Sequence, residues 1–190
     1  MTQRTSNDPV AENSSMARSR VSRVPARVLD VIGMLCRLGL AAVWLISGVV
    51  KVLHPNDTYQ AVRAYQVLPA SLVGPVAAVL PFLELAFGAL VLVGIGTRLM
   101  GVLSGLLLLV YIAGVAQSWA RGLTIDCGCF GGGGQVAAGQ TRYPQEILRD
   151  TGFLLLAVWL VVRPRTPLAL DSRLAGRPRP AGQDRPPVPS

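Results

Sequence analysis

Residues 71–93 read SLVGPVAAVLPFLELAFGALVLV, a run in which Glu84 is the one ionisable side chain. A helix needs about 20 mainly apolar residues to cross the hydrocarbon layer of a bilayer, and this run is long enough. Three further blocks approach the same length. Residues 31–53 read VIGMLCRLGLAAVWLISGVVKVL, residues 99–119 read LMGVLSGLLLLVYIAGVAQSW, and residues 144–162 open with PQEILRD and end with FLLLAVWLVV. The apolar residues form blocks instead of alternating with polar ones. Pro144 suits the first turn of a helix, where its missing N–H costs nothing. Pro75 and Pro81 are tolerable inside a membrane helix because neighbouring helices satisfy the freed carbonyls, and they predict a bend there.

Composition agrees with this reading. The chain has 190 residues, 51% of them hydrophobic and 15% charged, with mean hydropathy +0.47. A soluble domain carries about 25% charged residues, so this chain lacks solubilising surface. The expected fold class is all-α, an integral membrane four-helix bundle over residues 31–162. Residues 1–30 and 163–190 are expected to be disordered cytoplasmic tails, the second rich in arginine and proline. The net charge of +8 does not point to nucleic acid. The arginines gather in the tails and form no basic face interleaved with aromatics; a solvated tail attracted to anionic lipid fits better. About thirty residues precede the first block and no small-residue cleavage site follows it, so a removed signal peptide is not expected.

Orientation follows from the arginines that flank the blocks. Arg4, Arg18, Arg20, Arg23 and Arg27 precede the first block, Arg98 lies between the second and third, and Arg163, Arg165, Arg173, Arg177, Arg179 and Arg185 follow the fourth. The opposite loops hold Arg63, Arg121 and Arg142. Twelve against three places both termini in the cytoplasm of a multi-pass cell-membrane protein. The outer segment HPNDTYQAVRAYQVLP is amphipathic. Asp57 is a candidate helix cap, and Tyr59, Val62 and Tyr65 recur at three-residue spacing, as in a helix lying at the membrane interface.

The other outer loop contains DCGCFGGGGQ, residues 126–135. On this topology it faces the oxidising side of the membrane. Cys127 and Cys129 are close enough in sequence to bridge, but in extended backbone their Cα atoms stand about 6–7 Å apart, near the upper limit for a disulfide. The bridge is expected to be strained, with Gly128 taking the needed torsions, and strained disulfides are the labile ones. Gly131–Gly134 are read as letting the loop approach another protein's sulfur, although a flexible linker has the same composition. Three readings stay open: redox exchange, a static local bridge, and soft-metal binding by the two thiolates. Zinc is disfavoured because structural sites use four ligands and this side offers two cysteines, His54 and scattered carboxylates; no metal site is assigned. Asp126 disfavours a thiolate at Cys127, and Arg121 is a candidate to offset it. Cys127 is named as the exchanging sulfur and Cys129 as the resolving one. Cys36 lies near the cytoplasmic end of the first block and reads as a buried apolar thiol.

Ionisable residues inside spans are rare and usually face the bundle interior. Arg37 is expected to reach Glu84. Lys51, Arg149 and Asp150 share a depth just below the Cys-Gly-Cys loop. These charges either lock the packing or line a polar cavity that carries protons or holds a quinone, the latter by analogy with other four-helix thiol oxidases.

The stretches SGVVKVLHP, AYQVLP, LPFLELAFGALVLVG, RGLTIDCGCFG and ILRD, in this order and spacing, resemble the MauE branch of the DoxX-like membrane proteins. The resemblance covers residues 31–162. It implies a four-helix membrane bundle tied to thiol–disulfide chemistry, and MauE itself is associated with maturation of the disulfide-rich small subunit of methylamine dehydrogenase. The leading expectation is therefore a membrane thiol–disulfide redox protein that passes electrons between a thioredoxin-like partner and an extracytoplasmic client. The alternatives are a non-enzymatic membrane assembly factor and a metal-handling protein.

Overall fold

The computed structural model describes residues 26–137 and 139–163, and the expectations for the two tails lie outside them. The chain forms helices α1 (Ala26–Leu53), α2 (Pro55–Ala64), α3 (Ala70–Val93), α4 (Thr97–Ala120) and α5 (Tyr143–Val162). Between α4 and α5, strands β1 (Ile125–Asp126) and β2 (Gly134–Gln135) pair antiparallel. The helices α1, α3, α4 and α5 build the four-helix bundle. α1, α3 and α4 are long and apolar enough to cross a membrane. α5 carries Glu146, Arg149 and Asp150 in its first two turns, and its later turns are apolar. The chain is a multi-pass membrane protein.

The bundle buries an apolar core around Leu40, Trp44, Leu108 and Leu160 together with several polar side chains, and its outer surface is largely apolar, the reverse of a soluble domain's exterior. Glu84, Thr97, Ser104 and Ser118 are fully buried, while Val79, Phe82, Val110 and Leu148 are exposed. This inversion suits a hydrocarbon solvent, in which helices associate through close packing and interhelical hydrogen bonds. α1 packs along α3 where both lack side chains. A Cβ on Gly88 would lie 2.7 Å from the Leu45 side chain, and one on Gly48 would lie 2.8 Å from Leu85. Trp44 on α1 donates from Nε1 to Ser104 Oγ on α4 at 3.0 Å, tying the two helix pairs together. α1 also packs on α5 and α4 on α5, whereas α3 and α4 meet less closely.

Pro75 and Pro81 both lie within one continuous α3. The left-handed Gly94 closes that helix with its N–H on the Leu90 carbonyl, and only a short turn separates it from α4. The sequence of turns leaves α2, the β1–β2 loop, the end of α1 and the start of α5 at one end of the bundle. The start of α1 and the end of α5 lie at the other.

α2 differs from the expected interfacial helix. Its buried face is Thr58, Ala61 and Ala64, while Tyr59 is exposed. Asp57 lies in the first turn and does not cap; the N-cap is His54, which makes no side-chain cap bond. The small residues face the Cys-Gly-Cys loop, so α2 forms a roof over it.

Candidate functional site

The loop between β1 and β2 is shaped by its glycines. Gly128 and Gly131–Gly134 all have positive φ, from +67° to +125°, a region closed to most side chains. A Cβ on Gly133 would lie 2.6 Å from the Ala61 Cβ, and one on Gly128 would lie 2.7 Å from it. The glycine run is therefore a fitted surface against α2, which corrects its reading as a flexible arm. Asp126 accepts from the Gly128 N–H at 3.5 Å. Tyr65, just past α2, donates to the Cys127 carbonyl at 3.2 Å, and Tyr143 holds the loop's entry by accepting from the Ile125 N–H at 3.1 Å.

Cys127 and Cys129 are free thiols and both are buried, 7% and 8% exposed. Arg149 points Nη2 at the Cys127 sulfur from α5, 3.4 Å away, while its Nε donates to Asp150 at 2.9 Å. The Cys129 N–H also donates to the Cys127 sulfur, at 3.4 Å. The Cys127 thiol is held below the ordinary thiol range, first by the hydrogen bond from the Cys129 thiol and then by those from Arg149 and the Cys129 N–H, with burial opposing. Cys129 is pushed well above that range by the same sulfur–sulfur hydrogen bond, by burial and by charge on Cys127. The Tyr65 phenol is likewise pushed up, mainly by burial and then by the two sulfurs. The pair is thus asymmetric, with one sulfur favoured as thiolate and the other as thiol.

Beneath the loop lies a buried charged cluster. Lys51 donates to Glu84 Oε1 at 2.5 Å and to Ser47 Oγ at 3.0 Å. Tyr111 on α4 also donates to Glu84 Oε1. Ser47 Oγ lies 2.7 Å from the Cys129 carbonyl and 3.1 Å from Glu84 Oε2, joining the loop to the cluster. Glu84 therefore pairs with Lys51, correcting the expected partner Arg37. Arg37 is buried fourteen residues before Lys51 on α1, about 21 Å along the axis. Arg121 is corrected as well: it binds Gln66, through Nη2 to Oε1 at 3.1 Å, and the guanidinium at Cys127 belongs to Arg149. Cys36 packs against the core near the start of α1, away from the loop.

Ser47, Tyr111 and Glu146 escape the sequence reading. Ser47 and Lys51 are four apart on one helical face, and Tyr111 is a phenol in mid-span, far from either interface. Those were the available signals. Glu146 Oε, Asp126 Oδ and Cys127 Sγ lie within 4.8 Å of one another, the metal-like grouping found among the described residues. A fourth ligand is absent from that grouping, and the Arg149 cation already faces its sulfur.

A cavity of about 290 Å³ opens on the other side of the pair. Cys127, Cys129 and Lys51 line it, together with Leu80 of α3 and Leu107, Val110 and Tyr111 of α4. Its rim includes Val67 and Val110, both exposed.

Residues 29–163 match the family described as methylamine utilisation protein MauE. A relative from Paracoccus denitrificans, named methylamine utilization protein MauE, is 37% identical over 98 residues, which cover 51% of this chain and 53% of the relative. The match thus spans about half the length of each. No solved structure matches the chain.

Proposed function

We propose that this chain, which belongs to the MauE family of methylamine utilisation proteins, is a membrane thiol–disulfide redox protein. Cys127 acts as the exchanging sulfur and Cys129 as the resolving one. The observation that carries this reading is the Arg149 guanidinium 3.4 Å from the Cys127 sulfur, beside a Cys129 thiol that burial and its neighbour push above the ordinary range. A thiolate is the nucleophile in disulfide exchange, and the neighbouring thiol is placed to release a mixed disulfide. The arginine count supports an outward-facing loop, and a thioredoxin-like partner and an extracytoplasmic client, such as a disulfide-rich protein under maturation, would then be its exchange partners. Because α2 covers the loop, a protein partner reaches Cys127 only after α2 shifts.

Trapping tests the proposal. Cys129→Ser should accumulate a mixed disulfide through Cys127, and Cys127→Ser should not. If Cys129→Ser never captures a partner while Cys127→Ser keeps full function in cells, the reading is wrong and an assembly role independent of sulfur replaces it.

Metal handling has one observation in its favour, the Asp126–Cys127–Glu146 grouping. The Arg149 cation at the same sulfur opposes a second cation there. Stoichiometric copper or zinc in the purified protein would reverse that judgement.

A further inference from the structure

We infer that the cavity between α3 and α4 binds a lipid-soluble quinone, which accepts the electrons of the Cys127–Cys129 pair. This rests on the redox reading above and adds the identity of the electron acceptor. Four features of the molecule select the ligand. The cavity wall is mostly aliphatic, so its occupant is apolar. Its exposed rim at Val110 lies midway along a membrane-spanning helix, so the occupant arrives through lipid. Cys127 and Cys129 both line the wall, so the occupant lies beside the pair. The polar lining includes the Lys51 ammonium, which suits a carbonyl oxygen. Lys51 has three N–H groups, and Glu84 and Ser47 take two of them. A volume of about 290 Å³ is at the lower end of small-molecule clefts, about 300–1,000 Å³. That is room for a ring, with the tail left in the bilayer.

The step balances. The Cys127 thiolate adds to a quinone ring carbon, an S–C bond forms, and a ring oxygen takes up a proton. Cys129, once deprotonated, attacks the Cys127 sulfur. The S–S bond forms, the S–C bond breaks with its electron pair left on the ring, and a second proton completes the hydroquinone. The two thiols together lose two electrons and two protons, and one quinone gains them.

Decylubiquinone and the full-length protein in nanodiscs provide the test. Pre-reduced protein should convert one decylubiquinone to its hydroquinone as both thiols disappear. Val110→Trp and Leu80→Trp should slow this at least tenfold; Leu155→Trp, on the exposed face of α5, should not. Binding is read separately in the Cys127→Ser/Cys129→Ser protein, where decylubiquinone should still bind and Val110→Trp should weaken it at least tenfold. If the thiols exchange with 2-hydroxyethyl disulfide but decylubiquinone is neither bound nor reduced, the inference is overturned and the redox reading stands. If the double variant binds decylubiquinone but the native thiols react with neither reagent, the electron transfer falls together with the reading it rests on.

Discussion

Arg149 and Cys127 are twenty-two residues apart in sequence, yet the guanidinium of one lies 3.4 Å from the sulfur of the other. α5 begins just past the loop, so its second turn brings the arginine back under the pair. Removing that donor should slow Cys127. Arg149→Gln is expected to lower the rate of Cys127 alkylation at neutral pH several-fold, because less of the thiol is ionised. Mass spectrometry of maleimide-labelled protein measures it; an unchanged rate would show that Arg149 does not act on the sulfur.

The two thiols should also separate on a pH scale. Cys127 faces Cys129 from its own loop, Arg149 and Glu146 from α5, and Tyr65 at the end of α2. Its lowered titration means that alkylation should persist as pH falls below the usual thiol range. It should decline only as pH passes through the lowered value. Cys129 titrates well above that range and should stay unlabelled until the solution is strongly alkaline. Equal labelling of both at neutral pH would contradict the asymmetry.

Lys51 and Glu84 are buried together, 7% and 0% exposed. Leaving either charge alone in the bundle should be costly, about 3–5 kcal/mol. Lys51→Met and Glu84→Gln are each expected to lower thermal stability in detergent strongly, and Lys51→Met/Glu84→Gln by less than the sum of the two. A double-mutant cycle with no coupling would show the pair to be inert.

The roof over the loop has its own fastening. Gln66, after α2, takes a left-handed φ of +52°, a conformation that costs a non-glycine residue about 1–2 kcal/mol. Arg121 bonds to its side chain at 3.1 Å. Arg121→Ala should loosen α2 and raise labelling of Cys127 by a water-soluble maleimide. The same variant should leave bundle stability within about 0.5 kcal/mol. Equal labelling in both proteins would show that Arg121 does not hold α2 down.

The fit of the glycines under α2 predicts intolerance to even one methyl group. Gly133→Ala must place its Cβ against Ala61 at φ +125°. The expected loss is about 1–3 kcal/mol for backbone strain alone, with altered Cys127 reactivity. Gly152→Ala, where nothing lies within 4 Å, is the control and should be neutral or stabilising.

The spans were legible because bilayer thickness imposes a length on apolar runs, and residues 71–93 need only be counted. The partners of buried charges were not. Arg37 and Lys51 lie on much the same face of α1 at different depths, and the sequence does not fix the height at which α3 packs along α1; the close packing at Gly48 and Gly88 sets it. The face that α2 turns to the protein was not legible for a related reason. Hydrophobic spacing favoured Tyr59, Val62 and Tyr65, whereas closeness to the loop demanded the small residues Thr58 and Ala61. Arg149 was placed beneath the cysteines by depth, but its direction depends on how α5 turns against α1 and α4, which no periodicity records.

With α2 above and an apolar opening at the side, reagents of different solubility approach the sulfurs by different routes. A water-borne disulfide must displace a helix, and a lipid-borne oxidant need only diffuse inward between α3 and α4. On the proposed redox reading, handing electrons from one to the other would require no rotation of the loop, and the cover of α2 would screen the sulfurs from bulk aqueous reductants.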